Sequence, residues 1–261
     1  MRAEIAAPLL EMENVSMLYH TPQGETAALS DLSLQLEKGA FLAIVGPSGC
    51  GKSTILSLIA GLLRPSSGEI RIAGEPVGEG IPPLVGYMLQ HDHLFPWCTL
   101  WDNVLLGLKI RGEVKSAQKE RVAALLEQYG LAEFRNSLPR HLSGGMRQRA
   151  ALIRTLALEP ELLLLDEPFS ALDYQTRLRV SDDIGTIIRS RGKTAVLVTH
   201  DISEAISMAD RVLVLSARPG QIRYQERIFL SSSSGRVLEK RQAPEFAACF
   251  DRIWKELNED A

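Results

Sequence analysis

Leu162-Leu163-Leu164-Leu165 runs directly into Asp166-Glu167. An apolar run without polar alternation is a strand buried on both faces, and such strands belong to parallel sheets covered by helices. The two acids then emerge at the carboxyl edge of the strand, where open α/β sheets place their ligands. Three further runs end in the same manner: residues 41–45 at Gly46, residues 84–89 at Gln90 and residues 194–199 at His200. Such strands alternating with helical segments predict an α/β fold with a mostly parallel, doubly wound sheet.

The rest of the chain fits around that sheet. Residues 9–18 and 29–36 alternate loosely between apolar and polar and read as strands of a separate antiparallel layer. A turn-rich loop is expected between them, over residues 20–26. Residues 68–73 add another strand. From Leu100 to Leu138 the strand signals vanish, and Val122, Leu125, Leu126 and Tyr129 share one helical face. This marks a helical insert, at about residues 97–158, closed by a basic helix over residues 146–158. A helix over 174–190 follows Glu167. Asp201 with Glu204 makes a capping box for the helix after His200. Residues 211–215 and 221–230 read as strands. One domain is therefore expected over residues 1–230. A flexible Ser231–Gly235 link and a final helix from Pro244 complete residues 231–261. Phe246, Phe250, Ile253 and Leu257 lie on one face of that helix, which suits packing on the domain better than lying on a membrane surface.

Composition excludes several classes. The 261 residues carry a net charge of -3, which leaves no basic footprint for nucleic acid. The first residues break their apolar run with Glu4, Pro8 and Glu11, unlike a signal peptide. The longest apolar stretch, residues 55–63, is too short to span a bilayer, so a membrane role requires a partner. Cys50, Cys98 and Cys249 are few and scattered, which fits a reducing compartment and packing positions, without zinc spacing.

Chemistry concentrates at the strand ends. Gly46-Pro47-Ser48-Gly49-Cys50-Gly51-Lys52-Ser53 matches G-x-x-x-x-G-K-[ST], between a buried strand and an amphipathic helix, with Thr54 next in line. Its glycines let backbone N–H groups curl around a phosphate, and the helix N-terminus adds partial positive charge. Lys52 would reach the β- and γ-phosphates, and Ser53 would bind Mg²⁺. The loop alone does not choose among kinases, GTPases and ATPases. Asp166 can hold Mg²⁺ through its water shell, and Glu167 can act as general base on an attacking water. His200 could contact the γ-phosphate or fix that water and Glu167; the Gln90 amide could touch Mg²⁺ or the water.

These residues carry a resemblance. Over essentially its whole length the chain resembles the nucleotide-binding subunit of an ATP-binding cassette (ABC) transporter. Leu142-Ser143-Gly144-Gly145-Met146-Arg147-Gln148-Arg149 resembles the family's signature motif, which simpler phosphate-loop enzymes lack. Gly46–Ser53 is similar to Walker A, Leu162–Glu167 to Walker B, and Ser170-Ala171-Leu172-Asp173 to the D-loop. Gln90 stands at the Q-loop glutamine, His200 at the switch histidine and Tyr19 where an aromatic stacks on adenine. The resemblance implies a P-loop NTPase hydrolysing ATP with Mg²⁺ in a head-to-tail homodimer. Each ATP would lie between one subunit's Walker A and the other's signature. Ser143, Gly144 and Gly145 offer a hydroxyl and exposed N–H groups at a helix N-terminus, a second anion site suited to the partner's ATP.

The stretch from His91 to Val104 holds Phe95, Trp97 and Trp101. Part of it is core of the insert, and in the family this region receives a coupling helix of the membrane permease. Leu94-Phe95-Pro96-Trp97, Arg218-Pro219-Gly220 and Pro244-Glu245-Phe246 resemble importers of nitrate, sulfonate or taurine; thiamine-precursor importers look alike too. An importer implies a solute-binding protein outside the cell and a peripheral position on the cytoplasmic face of the inner membrane. Non-transport ABC ATPases of DNA repair, chromosome structure or translation are disfavoured by the single cassette, the lack of a long heptad run and the acidic balance. An exporter ATPase remains a rival.

Overall fold

The computed structural model describes residues 7–22, 24–232 and 236–259. β1 (Leu10–Thr21) and β2 (Gly24–Leu36) form a hairpin, and β3 (Phe41–Val45) leads into α1 (Lys52–Ile59). β4 (Ser67–Ile72) and β5 (Glu75–Pro76) return to the hairpin, giving an antiparallel sheet in the order β2-β1-β4-β5. β6 (Val85–Met88) precedes the helical insert, made of α2 (Leu100–Arg111), α3 (Ser116–Gln128), two short 3-10 turns and α4 (Gly144–Leu156). β7 (Leu162–Asp166), α5 (Tyr174–Ser190), β8 (Thr194–Val198), α6 (Ile202–Met208), β9 (Arg211–Leu215), β10 (Ile222–Arg227), α7 (Val237–Lys240) and α8 (Glu245–Asn258) complete the chain. The second sheet has the order β10-β9-β3-β8-β7-β6; only β10 runs antiparallel to its neighbour.

Why the leucine run tolerates no polar residue is visible in its packing. Leu163 and Leu165 face the helical side of the core, while Leu162 and Leu164 face the antiparallel sheet and α1. Every residue of β3, β7 and β8 is buried, with alternate side chains entering these two cores. Each fully buried leucine contributes roughly 1.5–3 kcal/mol.

Three local expectations are corrected. Within the loop expected over residues 20–26, residues 20, 21 and 24–26 are instead paired strand: His20 lies opposite Glu25 and Thr21 opposite Gly24. This tip of the hairpin is solvent-exposed, so no hydrophobic alternation betrays it. α4 starts at Gly144, two residues before the basic segment, because Ser143 is extended and its Oγ accepts the Met146 N–H at 3.3 Å. α7, at 4 residues, is too short to show a helical period in the sequence. Residues 233–235 of the expected flexible link lie outside the described residues. Ser231 is tied down, its N–H and Oγ both donating to the Glu245 carboxylate at 3.1 and 2.6 Å.

In the insert, Asn103 is buried and pins the loop before α2. Its Nδ2 donates to the carbonyls of Phe95, Cys98 and Thr99, and its Oδ1 accepts the Phe95 N–H at 2.7 Å. The loop so fixed presents Phe95 and Trp97 as a stacked pair, ring centroids 5.1 Å apart, on the surface. Trp101 turns the other way, packing on the core beneath the Arg135 guanidinium.

Candidate nucleotide site

β3, β8, β7 and β6 are adjacent and parallel, so their carboxyl ends open on one edge. Gly46, His200, Asp166 with Glu167, and Gln90 therefore share that edge, although more than 150 residues separate the first from the second.

The loop between β3 and α1 is shaped by Gly51, whose φ of 104° and whose contact with Leu29 leave no room for a side chain. Lys52 is buried and bridges the limbs of the loop, its Nζ donating to the Gly46 and Pro47 carbonyls at 2.8 Å each. The Cys50 side chain of the loop is buried, and burial pushes its thiol up from the ordinary value. A cleft of about 250 Å³ is lined by Tyr19, Ala28, Ser48, Gly49, Gly51 to Thr54, Glu167 and Arg218. Tyr19 is partly exposed, and its hydroxyl lies 3.3 Å from Thr54 Oγ1.

Ser53 Oγ donates to Asp166 Oδ1 at 3.1 Å, which joins the start of α1 to the end of β7. Burial raises the Asp166 carboxyl; the Ser53 and Tyr87 hydrogen bonds counteract this, and Glu167 adds to it. Tyr87 donates to Asp166 Oδ2 at 3.4 Å, and its own hydroxyl is pushed up to about 12, chiefly by burial and then by the Asp166 charge. A cation beside Asp166 would offset the cost of keeping that carboxylate ionised. A hydroxyl and a single carboxylate, both hard oxygens, suit Mg²⁺, which keeps several waters and is completed by substrate phosphates.

Glu167 departs from the strand. It has φ 43°, in the left-handed region that non-glycine residues seldom adopt, and its N–H donates to Val198 O at 2.9 Å. Its Oε2 accepts from Gln90 Nε2 at 3.3 Å and lies 3.3 Å from His200 Nδ1. Gln90, given above as a possible metal ligand, thus directs its amide nitrogen to Glu167. Strain of this kind is characteristic of functional positions.

Ser143 lies elsewhere. It is exposed and lines a separate cleft with Thr176, Arg179 and Asp183. Gly144 is half-buried, and Gly145 is buried against Thr176 and Val180, so the open part of the turn is narrower than the sequence suggests. The sequence gives three residues near the site no place there. Tyr87 hides within an apolar strand. Arg218 is brought from the far end of the chain. Arg177 donates to Leu172 O at 3.1 Å and faces Asp201 and Glu204, joining the Ser170–Asp173 turn to the segment after His200. Only the helical spacing of Arg177 from Asp173 hinted at it.

Phosphate loop, buried strand acids, antiparallel layer and a helical insert whose last helix is capped by Ser143 together define an ATP-binding cassette. The ABC transporter family model matches residues 29–170. An uncharacterized ABC transporter ATP-binding protein of Bacillus subtilis, YtlC, is 46% identical over 95% of each chain. The nitrate import ATP-binding protein NrtD of Synechocystis is 39% identical, covering 94% of this chain and 93% of its own length. The taurine import ATP-binding protein TauB of Pelagibacter ubique is 40% identical over 92% of each. The ATP-binding cassette MJ0796, solved as a post-hydrolysis dimer bound to ADP and Pi, superposes with a TM-score of 0.72 at 31% identity, over 84% of this chain and 99% of that one. The chain belongs to the ABC transporter family; it is an ATPase whose hydrolysis of ATP is coupled to transport. No helix among the described residues is long and apolar enough to cross a membrane.

Proposed function

We propose that this chain is the ATP-hydrolysing subunit of an importer for a small polar solute of the nitrate, sulfonate or taurine kind. The observation that carries the ATPase chemistry is the convergence of Lys52 and Ser53, Gln90, Asp166 and Glu167, and His200 on one sheet edge. Similarity to nitrate and taurine import proteins over most of the chain supports import.

In this reading the loop Gly46–Thr54 cradles the phosphates, with Lys52 neutralising charge and Tyr19 flanking the adenine. Ser53 and Asp166 would hold Mg²⁺, which supplies charge neutralisation on the phosphate oxygens. Glu167 accepts the proton of the attacking water. Gln90 and His200 both approach Oε2, which fixes the carboxylate and leaves Oε1 to face the water. Lys52→Ala is expected to weaken ATP binding at least tenfold in calorimetric titration; affinity equal to wild type would remove Lys52 from the phosphate site.

The partner surfaces follow. Ser143, exposed and away from this chain's own phosphate loop, serves the ATP of a second copy in a head-to-tail dimer. A groove of about 650 Å³ runs from Ile81, Leu89 and Phe95 to Ile110 and Leu158, with Trp97 beside Phe95. Ile110 and Trp97 are 77% and 74% exposed, an apolar rim fit for a helix of the permease. A solute-binding protein outside the cell would complete the complex, with this subunit held at the cytoplasmic face of the inner membrane by the permease. Charging that rim with Trp97→Asp and Ile110→Asp should leave ATP hydrolysis by the isolated subunit within about twofold of wild type. The same pair should cut uptake by the reconstituted transporter at least tenfold. Unimpaired uptake would place the permease contact elsewhere.

A further inference from the structure

Arg218 stands in the loop between β9 and β10, far in sequence from every residue assigned above, yet it lines the same cleft as Tyr19 and the phosphate loop. The loop that carries it is stitched to the site by its backbone. Gly220 N–H donates to Ala28 O at 2.9 Å, and Ser30 N–H donates to Gly220 O at 3.1 Å, which fastens the turn to β2. Gly220 itself presses on the phosphate loop so closely that a Cβ there would collide with the Cys50 carbonyl. Ser216 closes the turn from inside: its Oγ accepts the Gln221 N–H at 3.1 Å and donates to Pro219 O at 3.1 Å. Gly220 and Ser216 therefore hold the loop in place, and the Arg218 side chain is not needed for that purpose.

The guanidinium lies across the apex of the phosphate loop. Its Nε donates to Gly49 O at 3.2 Å, and its Nη2 is 3.6 Å from where a Cβ on Gly49 would stand. The residue is exposed, and among the described residues no carboxylate pairs with it. A guanidinium carries five N–H donors, so most of them remain for a ligand. Lys52, by contrast, already directs two hydrogen bonds into the loop carbonyls. A polyphosphate entering this cleft meets a permanent cation with a planar fork suited to phosphate oxygens.

We propose that Arg218 is a nucleotide-contacting residue: its guanidinium binds phosphate oxygens of the nucleotide beside Gly49 of the loop, in the cleft that Tyr19 also lines. This rests on the reading of the cleft as the ATP site. It gives a function to the Arg218-Pro219-Gly220 turn: the last two residues fasten the loop and the first touches the ligand.

The test is calorimetric titration of the full chain with Mg-ADP and with a non-hydrolysable ATP analogue, alongside thermal melts without nucleotide. Arg218→Ala should weaken both ligands roughly tenfold, the loss of one charge-assisted hydrogen-bonded pair, with the nucleotide-free Tm unchanged. Arg218→Lys, which keeps the charge without the fork, should fall between Ala and wild type. Affinity within twofold of wild type in Arg218→Ala overturns the proposal. So does weakened binding accompanied by a matching fall in the nucleotide-free Tm, which would make Arg218 a brace of the loop. Lys52→Ala run in parallel separates the two readings. If it too binds ADP as wild type does, the ATP assignment of the cleft falls and takes Arg218 with it. If only Lys52→Ala loses affinity, Arg218 alone is overturned.

Discussion

Glu167→Gln is expected to lower steady-state ATP hydrolysis by about a thousandfold while ATP still binds. The change removes a proton acceptor and little else. Glutamine keeps the volume of the side chain and an acceptor oxygen for the Gln90 amide, which now lies 3.3 Å from Oε2. The left-handed backbone at this position, φ 43°, is no harder for glutamine than for glutamate. The hydrogen bond between Ser53 and Asp166 does not involve Glu167 and is untouched. Binding and hydrolysis should therefore separate: phosphate release falls, ATP affinity holds, and ATP-bound dimer accumulates in size-exclusion chromatography. Turnover near the wild-type rate would take the role of base away from Glu167 and require another proton acceptor on the same edge.

Ser143→Arg should also suppress turnover, by a different route. The new side chain would project at an exposed helix start that shares no cleft with this chain's own phosphate loop. ATP binding to the monomer is expected to stay within about twofold of wild type, because none of the residues that line its cleft is altered. Loss of the cap to the Met146 N–H, with a positive charge now at the N-terminus of α4, costs about 1–2 kcal/mol of stability, too little to unfold a domain of this size. Hydrolysis should fall at least a hundredfold, since an oxyanion-type donor is lost and the partner's nucleotide is blocked. The measurements are monomer affinity by titration and turnover at dimer-forming concentrations. Full turnover would mean that Ser143 serves no nucleotide, and the head-to-tail assignment would fail with it.

Burial and chemistry were read from the chain with different success, for physical reasons. A four-leucine run that enters two cores at once can satisfy its surroundings in one way only, so Leu162 to Leu165 announce a central strand. The exposed tip of the β1–β2 hairpin satisfies its backbone by pairing alone, and side-chain pattern says nothing about it. Ser143 marked its helix start correctly in kind, yet the helix begins two residues before the basic segment, because capping is a backbone event that precedes the periodic residues. Trp101 and Trp97 look equal in sequence. Asn103, by holding the carbonyls of residues 95, 98 and 99, turns one inward and leaves the other exposed.

The sequence by itself determined the family, the alternation of strand and helix, and the residue types at each strand end, since local spacing and hydrophobic pattern carry that information. The tertiary structure decided which of those ends meet. It brought Gln90 and His200 to a single oxygen of Glu167, set Tyr87 behind Asp166, and drew Arg218 over Gly49. Strand order and a left-handed turn at Glu167 made these contacts. Neither is written in a local pattern, because both arise from pairings between segments far apart in the chain.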